Sequence, residues 1–135
     1  MRMAHPTTVH VVATSVDGTR AALKATAPLA REHDARLVVL IPKRVEDDAM
    51  TADSDRSTNW QIARYEGLAR ELEQPIQIRV CYCWDPAEVA MQLTPPDATM
   101  VIGGPAKWFW PGTEERIADR LRQSGREVLF VGCNS

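Results

Sequence analysis

The chain of 135 residues has no long apolar run, no excess of positive charge and only three cysteines. Without a run of about 20 apolar residues, no membrane-spanning helix is expected. The formal net charge of -2 gives no electrostatic reason to expect nucleic acid or an anionic membrane as a partner. An odd number of cysteines does not make a disulfide framework, and no apolar segment follows the charged N-terminus as it would in a secretory signal. We therefore expect a cytoplasmic protein.

The sequence also lacks the side-chain arrangements of common catalytic and metal sites. The three histidines are His5, His10 and His33. None of them has a nearby serine or cysteine in a nucleophile–base arrangement, so no catalytic triad is expected. Cys81 and Cys83 fall on one face of a predicted strand and Cys133 lies near the end of another, but a zinc site needs four ligands. We expect buried thiols, no metal and no enzymatic activity.

What the sequence does contain is an ordinary globular composition in a regular alternation of elements. Apolar residues make up 44% of the chain and charged residues 25%, and the length suits one domain over residues 1–135, with an N-terminal tail over residues 1–7. The predicted strands are Val9–Ala13, Arg36–Ile41, Ile76–Cys83, Ala98–Ile102 and Glu127–Val131. The predicted helices are Thr19–His33, Ser57–Glu73, a short helix capped by Asp85, and Thr113–Ser124. This order predicts an α/β fold, a doubly wound and mainly parallel sheet of five strands.

One segment between the second strand and the second helix is expected to be a mobile acidic loop, at residues 43–57. Pro42 ends the preceding apolar run, and Glu46–Ser57 carries five acids against one arginine. The segment has no apolar periodicity, so nothing in it predicts a helix or a strand.

The chain is organised around the stretch that begins at Met100 and ends at Thr113. An apolar run closes on Gly103 and Gly104, a loop rich in proline and aromatic residues follows, and a charged amphipathic segment begins at Thr113. This is the pattern of a buried parallel strand, a functional turn and a helix N-terminus, and such turns lie at the carboxyl edge of α/β sheets where ligands bind.

Several motifs in fixed order resemble the universal stress protein family over nearly the whole chain. Val16-Asp17-Gly18-Thr19 is similar to the V-D-G-S turn of that family, and Asp85-Pro86-Ala87-Glu88 to its G-D-P-A-E turn. Val101-Ile102-Gly103, Gly112-Thr113 and the closing strand from Glu127 follow in the family's order. The resemblance implies a parallel sheet of order 3-2-1-4-5, an adenine-nucleotide-binding-like fold and a small protein that is often dimeric. Some members bind ATP and others do not.

The resemblance also implies where a nucleotide would bind. The positions that correspond to the family's nucleotide contacts are Ser15, Asp17, Pro42, Gly103, Ala106, Gly112 and Thr113. ATP-binding members carry G-x2-G-x9-G-[ST], whereas Ala106 replaces the second glycine here and the following linker is about four residues shorter. The helix after the loop opens with Glu114 and Glu115, whose carboxylates would repel a triphosphate. We therefore predict no cofactor; the alternative is ATP or AMP, with Mg²⁺.

The central loop offers a second interpretation, as a surface for a partner. Its side chains are Lys107, Trp108, Phe109 and Trp110. Exposed aromatic residues are enriched in binding hot spots, but the same rings could fold back and plug the nucleotide cleft. In the nucleotide-binding alternative, adenine would stack on Trp108 or Trp110.

A phospho-acceptor receiver domain is a competing α/β class. It would need an aspartate after the third strand, acids after the first and a lysine after the last. Asp85 and Asp17 match superficially, but Asp85 is already predicted as a helix cap and Gly132-Cys133-Asn134 contains no lysine.

The resemblance implies a stress-response or regulatory protein. Together with the residues described above, it predicts a protein without enzymatic activity that acts by dimerisation or by binding a protein partner and does not bind ATP tightly. The last strand, Val128–Val131, would lie at an edge of the sheet and be apolar and uncharged. Such an edge tends to pair, so a homodimer through it is expected. The alternative is an adenine-nucleotide (ATP or AMP) sensor that uses the cleft between the first and fourth strands.

Overall fold

The computed structural model describes residues 8–44, 52–105 and 113–133. The strands are β1 (Thr8–Val12), β2 (Arg36–Arg44), β3 (Ile76–Cys83), β4 (Thr99–Pro105) and β5 (Glu127–Cys133). The helices are α1 (Val16–Glu32), α2 (Ala52–Glu71), α3 (Pro86–Leu93) and α4 (Thr113–Gln123). All neighbouring strands pair in parallel, in the order β3-β2-β1-β4-β5. The predicted fold class and strand order are confirmed.

The sheet lies between two layers of helices, each with its own core. Alternate residues of the strands face α1 and α2, where Val11, Val39 and Val101 pack with Leu23 and Tyr65. The other residues of the same strands face α3 and α4. That second core contains Val12, Val38, Met100, Ile102, Ala90 and Leu121. The three central strands are buried on both faces, which is why their sequences are almost continuously apolar.

Helix α1 begins at Val16, three residues before the predicted start at Thr19. The reason is a helix cap: Ser15 has an extended backbone, and its Oγ accepts a hydrogen bond from the Gly18 N–H at 3.0 Å. A serine in this position satisfies an N–H that the helix itself leaves unpaired. Pro28 lies inside the helix, as predicted, on its exposed side.

The predicted loop at residues 43–57 is wrong at both ends. Strand β2 continues past Pro42 to Arg44, because β3 pairs with it along this whole length, up to Arg44 with Cys83. Pro42 is tolerated because it lies beyond Leu40, the last residue of β2 that pairs with β1. Helix α2 begins at Ala52, since extending a helix that is already packed adds a hydrogen bond at little entropic cost. Residues 45–51 lie outside the described part.

Strands β4 and β5 also run further than predicted. The register continues from Gly103 with Val131 through Gly104 with Gly132 to Pro105. The two glycines therefore belong to the strand and not to the turn. The predicted strand ends at Ile102, before the two glycines, because glycine is common in turns. Pairing with the neighbouring strand holds both glycines in the extended conformation.

A buried arginine joins α3 to the start of β5. Arg126 is only 8% exposed. Its guanidinium donates to the carbonyl oxygens of Met91 and Thr94 at 2.7 and 2.9 Å and to Ser124 Oγ at 2.9 Å. A positive charge at the C-terminal end of α3 also interacts favourably with the helix dipole. This side chain fixes the end of a short helix that Pro95 and Pro96 follow.

Helix α1 follows β1 in the chain but lies mainly over β4 and β5, with fewer contacts to β1 and β2. Its buried side includes Ala22, Thr26 and Ala30. Small side chains let the helix approach the sheet closely. Among the described helices, none combines the length and the apolar character needed to cross a membrane.

Candidate functional site

The candidate site lies where the strand order reverses, between the carboxyl ends of β1 and β4. To one side of this point the chain proceeds from β1 to β2 and β3, and to the other side lie β4 and β5. In open α/β sheets ligands bind in the crevice at such a reversal. The residues that follow β1 and those that end β4 therefore determine what can bind there.

The segment after β1 is tied to β4 by a side-chain hydrogen bond. Thr14 Oγ1 donates to the Gly103 carbonyl oxygen at 2.7 Å, and the Thr14 N–H donates to Thr19 Oγ1 at 3.0 Å. Together with the Ser15 cap, these bonds fix the first turn of α1 against the end of β4. The helix N-terminus at the site is thus held rigidly in place.

Gly18 and Gly103 pack backbone to backbone at this point. A Cβ built on Gly103 would lie 1.9 Å from the Gly18 oxygen, and one built on Gly18 would lie 2.4 Å from the Gly103 oxygen. No larger residue fits at either position without movement of the backbone. The resemblance assigns Gly103 to nucleotide binding, but its contacts show that α1 packing alone already requires a glycine.

A carboxylate side chain covers the next residue of β4. A Cβ on Gly104 would lie 2.8 Å from Cβ and Cγ of Glu114, in the first turn of α4. Glu114 at the start of α4 therefore lies over the end of β4. Its negative charge interacts favourably with the N-terminus of α4 and repels a phosphate approaching the same position.

Pro42, which the resemblance places near an adenine, borders a small apolar hollow beneath α3. The hollow is lined by Val12, Leu40, Pro42, Cys81, Pro86, Val89, Ala90 and Leu93. Apart from the Cys81 thiol, the side chains that line it within the described structure are apolar. Burial raises the pKa of the Cys81 thiol, so that the thiol stays neutral in these surroundings.

The other predicted contact residues are only partly within the described structure. Ser15 and Asp17 are both exposed at the N-terminus of α1. They follow the carboxyl end of β1, at the same edge of the sheet as the end of β4. Thr113 is the first residue of α4. The remaining predicted residues, Ala106, Lys107, Trp108, Phe109, Trp110 and Gly112, lie outside the described residues. Their nucleotide or partner contacts stay predictions.

Asp85 has the structural role that the sequence predicts. Its carboxylate accepts a hydrogen bond from the Ala87 N–H at 3.0 Å and caps α3, with Pro86 at the first helical position. It also pairs with Arg120 of α4. The hydrogen bond from Arg120 holds the pKa of this carboxyl below its ordinary value, against the opposing effect of desolvation. A carboxylate engaged in this way does not support the receiver-domain alternative.

The cysteines and histidines do not gather into a site in the described ranges. Cys83 is buried, Cys81 and Cys133 are half-buried, and none of the three forms a disulfide within the described residues. Within the described residues, no group of three or more His, Cys, Asp or Glu could hold a metal ion. His10 lies in β1 at 8% exposure, and no hydrogen-bond partner to its Nδ1 is found in the described structure.

Sequence reasoning missed two contributors to the site, Thr14 and the contact of Glu114 with Gly104. The signal for Thr14 was weak: a Thr-Ser pair before V-D-G-T indicates a helix cap, but the cap itself is Ser15. Nothing in the sequence indicates that the Thr14 hydroxyl reaches a residue of β4. Such contacts depend on the sheet order.

Comparison with known proteins finds similarity in structure only. The fold matches an AMP-bound universal stress protein family structure from Arabidopsis thaliana, with a TM-score of 0.65, 14% identity, and coverage of 96% of this chain and 94% of the other. It matches a universal stress protein from Archaeoglobus fulgidus with a TM-score of 0.68, 12% identity and 92% coverage of both chains. A universal stress protein in complex with cAMP matches with a TM-score of 0.63, 15% identity, and coverage of 94% and 97%.

No protein-family model matches the sequence, and no curated protein matches it. The chain therefore has the fold of these universal stress protein structures.

Proposed function

We propose that this chain is a cytoplasmic stress-response protein that acts through dimerisation and protein partners and has no catalytic activity of its own. The fold supports the assignment to the stress-response proteins, and the edge strand β5 is the observation that supports dimerisation. This strand is last in the sheet order, and its described pairing is with β4 alone. An apolar edge strand presents unpaired backbone groups that another strand can join.

The side chains of β5 are covered incompletely on both faces. Val128 and Phe130 are half-buried against the core under α3 and α4, and Val131 against the core under α1. Leu129 is 45% exposed. Arg122 Nη2 donates to the Val128 carbonyl oxygen at 3.3 Å, so one exposed side chain contacts this edge. A second copy related by a two-fold axis would bury Leu129 together with its own counterpart.

The experiment is a measurement of mass in solution by light scattering or sedimentation over a range of concentrations. Wild-type protein is expected near twice 15.1 kDa. Leu129→Lys places like charges close together across the two-fold axis and is expected to give a monomer. Leu29→Lys is the matched control, since Leu29 has a similar exposed fraction, 44%, but belongs to helix α1 and not to the edge strand. It is expected to remain dimeric.

A monomeric wild-type protein, or a Leu129→Lys variant that stays dimeric, would contradict dimerisation through β5. Thermal unfolding of both lysine variants checks that each is folded. If both variants become monomeric, the effect is one of surface charge and the edge is not the interface.

A second candidate function is an adenine-nucleotide sensor that uses the cleft between β1 and β4. The observation that favours it is that two structures of the same fold hold AMP and cAMP. The rigid first turn of α1 beside Gly103 offers the correct position for a ligand at the strand reversal. The side chain of Glu114 over Gly104 opposes the phosphates, which is why the first proposal is preferred.

Calorimetric titration of nucleotide-free protein with Mg²⁺-ATP and with AMP, followed in parallel by tryptophan fluorescence, tests this second function. Saturable binding at micromolar nucleotide would establish the sensor function, and no heat up to millimolar nucleotide would exclude it. If binding occurs in the cleft, Glu114→Gln should tighten ATP at least a few-fold. Glu115→Gln removes the neighbouring carboxylate of the same helix turn and should have the smaller effect.

A further inference from the structure

A basic groove lies between α1 and α2, and none of its lining residues is among the positions predicted to contact a nucleotide in the β1–β4 cleft. Its volume is about 590 Å³, within the range of small-molecule sites. The walls include Arg20 and Lys24 from α1 and Arg64, Gly67 and Glu71 from α2, with Tyr65 at the base. We refer to these six residues as the basic groove.

The charge of the basic groove is strongly one-sided. Arg20 and Lys24 are one helical turn apart on the same side of α1, and Arg64 stands on the opposite wall. Within the described part of the chain, no carboxylate lies within ion-pair distance of these three side chains. Glu71 is the acidic residue of the lining. This cluster occurs on a chain whose net charge is -2, so it does not simply reflect a basic composition.

The α2 wall and the base of the basic groove are held in place by aromatic side chains. The Arg64 guanidinium carbon lies 5.2 Å from the ring centroid of Trp60, in a cation–π contact that orients its donors. Tyr65 is 1% exposed and packs in the core beneath α1 and α2. Ordering these side chains in advance lowers the entropic cost of binding a ligand.

Gly67 provides an independent observation. It lies in the interior of α2, where glycine is less favourable than alanine because it loses more conformational freedom on folding. A Cβ at this position would meet only Arg70 Nη2, at 3.7 Å, so packing does not require a glycine. Because Gly67 lines the basic groove, the absence of a side chain there leaves the groove open. At Gly18 and Gly103, by contrast, the packing leaves no room for a Cβ and therefore requires glycine.

We propose that the basic groove binds a small multivalent anion, a molecule with two or more phosphate or carboxylate groups. The α1 wall from Val16 to Lys24 spans about 12 Å at 1.5 Å per residue, which suits a small molecule better than a long polymer. Guanidinium groups bind phosphate and carboxylate in bidentate geometry, and the lysine adds a point charge. The basic groove gives the protein a ligand site separate from the cleft and from the β5 edge.

The test is calorimetric titration of the full chain at low ionic strength, with tripolyphosphate as the phosphate probe and citrate as the carboxylate probe. The wild-type protein is expected to bind at least one of them saturably, and the two probes show which anionic group is preferred. The double variant Arg20→Glu with Lys24→Glu is expected to weaken binding at least tenfold. Gly67→Leu fills the opening without changing the charge and is expected to weaken it as well.

The matched control is Arg36→Glu with Arg116→Glu, which changes the net charge equally at exposed positions in β2 and α4. Its affinity should stay within about twofold of wild type. Binding of neither probe, or equal weakening by both double variants, would overturn the proposal, the latter because it shows a general effect of charge. Unchanged affinity in Gly67→Leu would also overturn it. Circular dichroism of each variant establishes that the helices are intact.

Discussion

Arg126 and Thr94 are joined by two hydrogen bonds: Arg126 Nε–H donates to Thr94 Oγ1 at 2.9 Å, and an Nη2–H donates to the Thr94 carbonyl oxygen at 2.9 Å. The two residues are 32 positions apart in the chain. Thr94 Oγ1 in turn donates to the Ala90 carbonyl oxygen at 2.7 Å, inside α3. The end of α3 is therefore completed by the side chain of the residue that precedes β5.

Replacing this arginine should destabilise the fold strongly. Arg126→Met keeps much of the apolar stem but leaves the buried oxygens of Met91 and Thr94 without their donor. We expect the free energy of unfolding to fall by about 2–4 kcal/mol, measured by urea denaturation. Arg122→Met is the control: Arg122 is exposed and pairs loosely with Asp119 at 3.4 Å, so a loss under about 1 kcal/mol is expected. Equal losses in the two variants would contradict the role assigned to Arg126.

Gly103 packs against Gly18, whereas Gly67 faces open space. Substitution by alanine should therefore have opposite effects on stability at the two positions. Gly103→Ala forces a Cβ against the Gly18 backbone and should cost about 3 kcal/mol or more, or prevent folding. Gly67→Ala meets open space in α2 and should stabilise the protein by roughly 0.5–1 kcal/mol. Thermal and urea unfolding compare the two. A tolerated alanine at position 103 would show that α1 does not pack against β4 as described.

The buried His10 is expected to make the free energy of unfolding depend on pH. Burial lowers the pKa of His10 from its ordinary value of 6.5, and the positive charge of Arg79 lowers it further. The unfolded chain therefore binds a proton more readily than the folded one. The stability that the fold has with a neutral His10 is fully present above pH 6.5. This part of the free energy of unfolding is lost as the pH falls below 6.5 toward the lowered pKa of His10 in the folded state.

The measurement is urea denaturation of wild type and His10→Gln between about pH 5 and pH 8, a range in which most ordinary carboxyl groups stay ionised. We expect wild type to lose stability towards pH 5 and the variant to lose less. A His10→Gln curve that parallels wild type throughout would exclude His10 as the source of the pH dependence.

Most of the fold could be predicted because local signals agreed with one another. The apolar run at Arg36–Ile41 and the alternation at Ile76–Cys83 both became strands, and the Asp85-Pro86 pair became a helix start. The limits of β2, β4 and β5 could not be predicted. Their last residues are strands because neighbouring strands pair with them, whereas their own sequence contains proline or glycine.

The site was less predictable than the fold. The motif pattern indicated the right edge of the sheet, but the hydrogen bond from Thr14 to Gly103 joins residues 89 positions apart and leaves no local signal. The basic groove shows the same limit. Arg20 and Lys24 are ordinary exposed residues of one helix, and only the packing of α2 beside α1 brings Arg64 opposite to them.

The placement of α1 over β4 and β5 has a consequence for biosynthesis. As the chain leaves the ribosome, β1, α1 and β2 emerge first, yet the strands that cover most of the inner face of α1 are made later. Until β4 and β5 are available, α1 has only its smaller contacts with β1, β2 and α2, and part of its buried side stays exposed. Folding of this domain during translation should therefore be completed late, and a nascent chain that stops after β3 should depend on chaperones to stay out of aggregates.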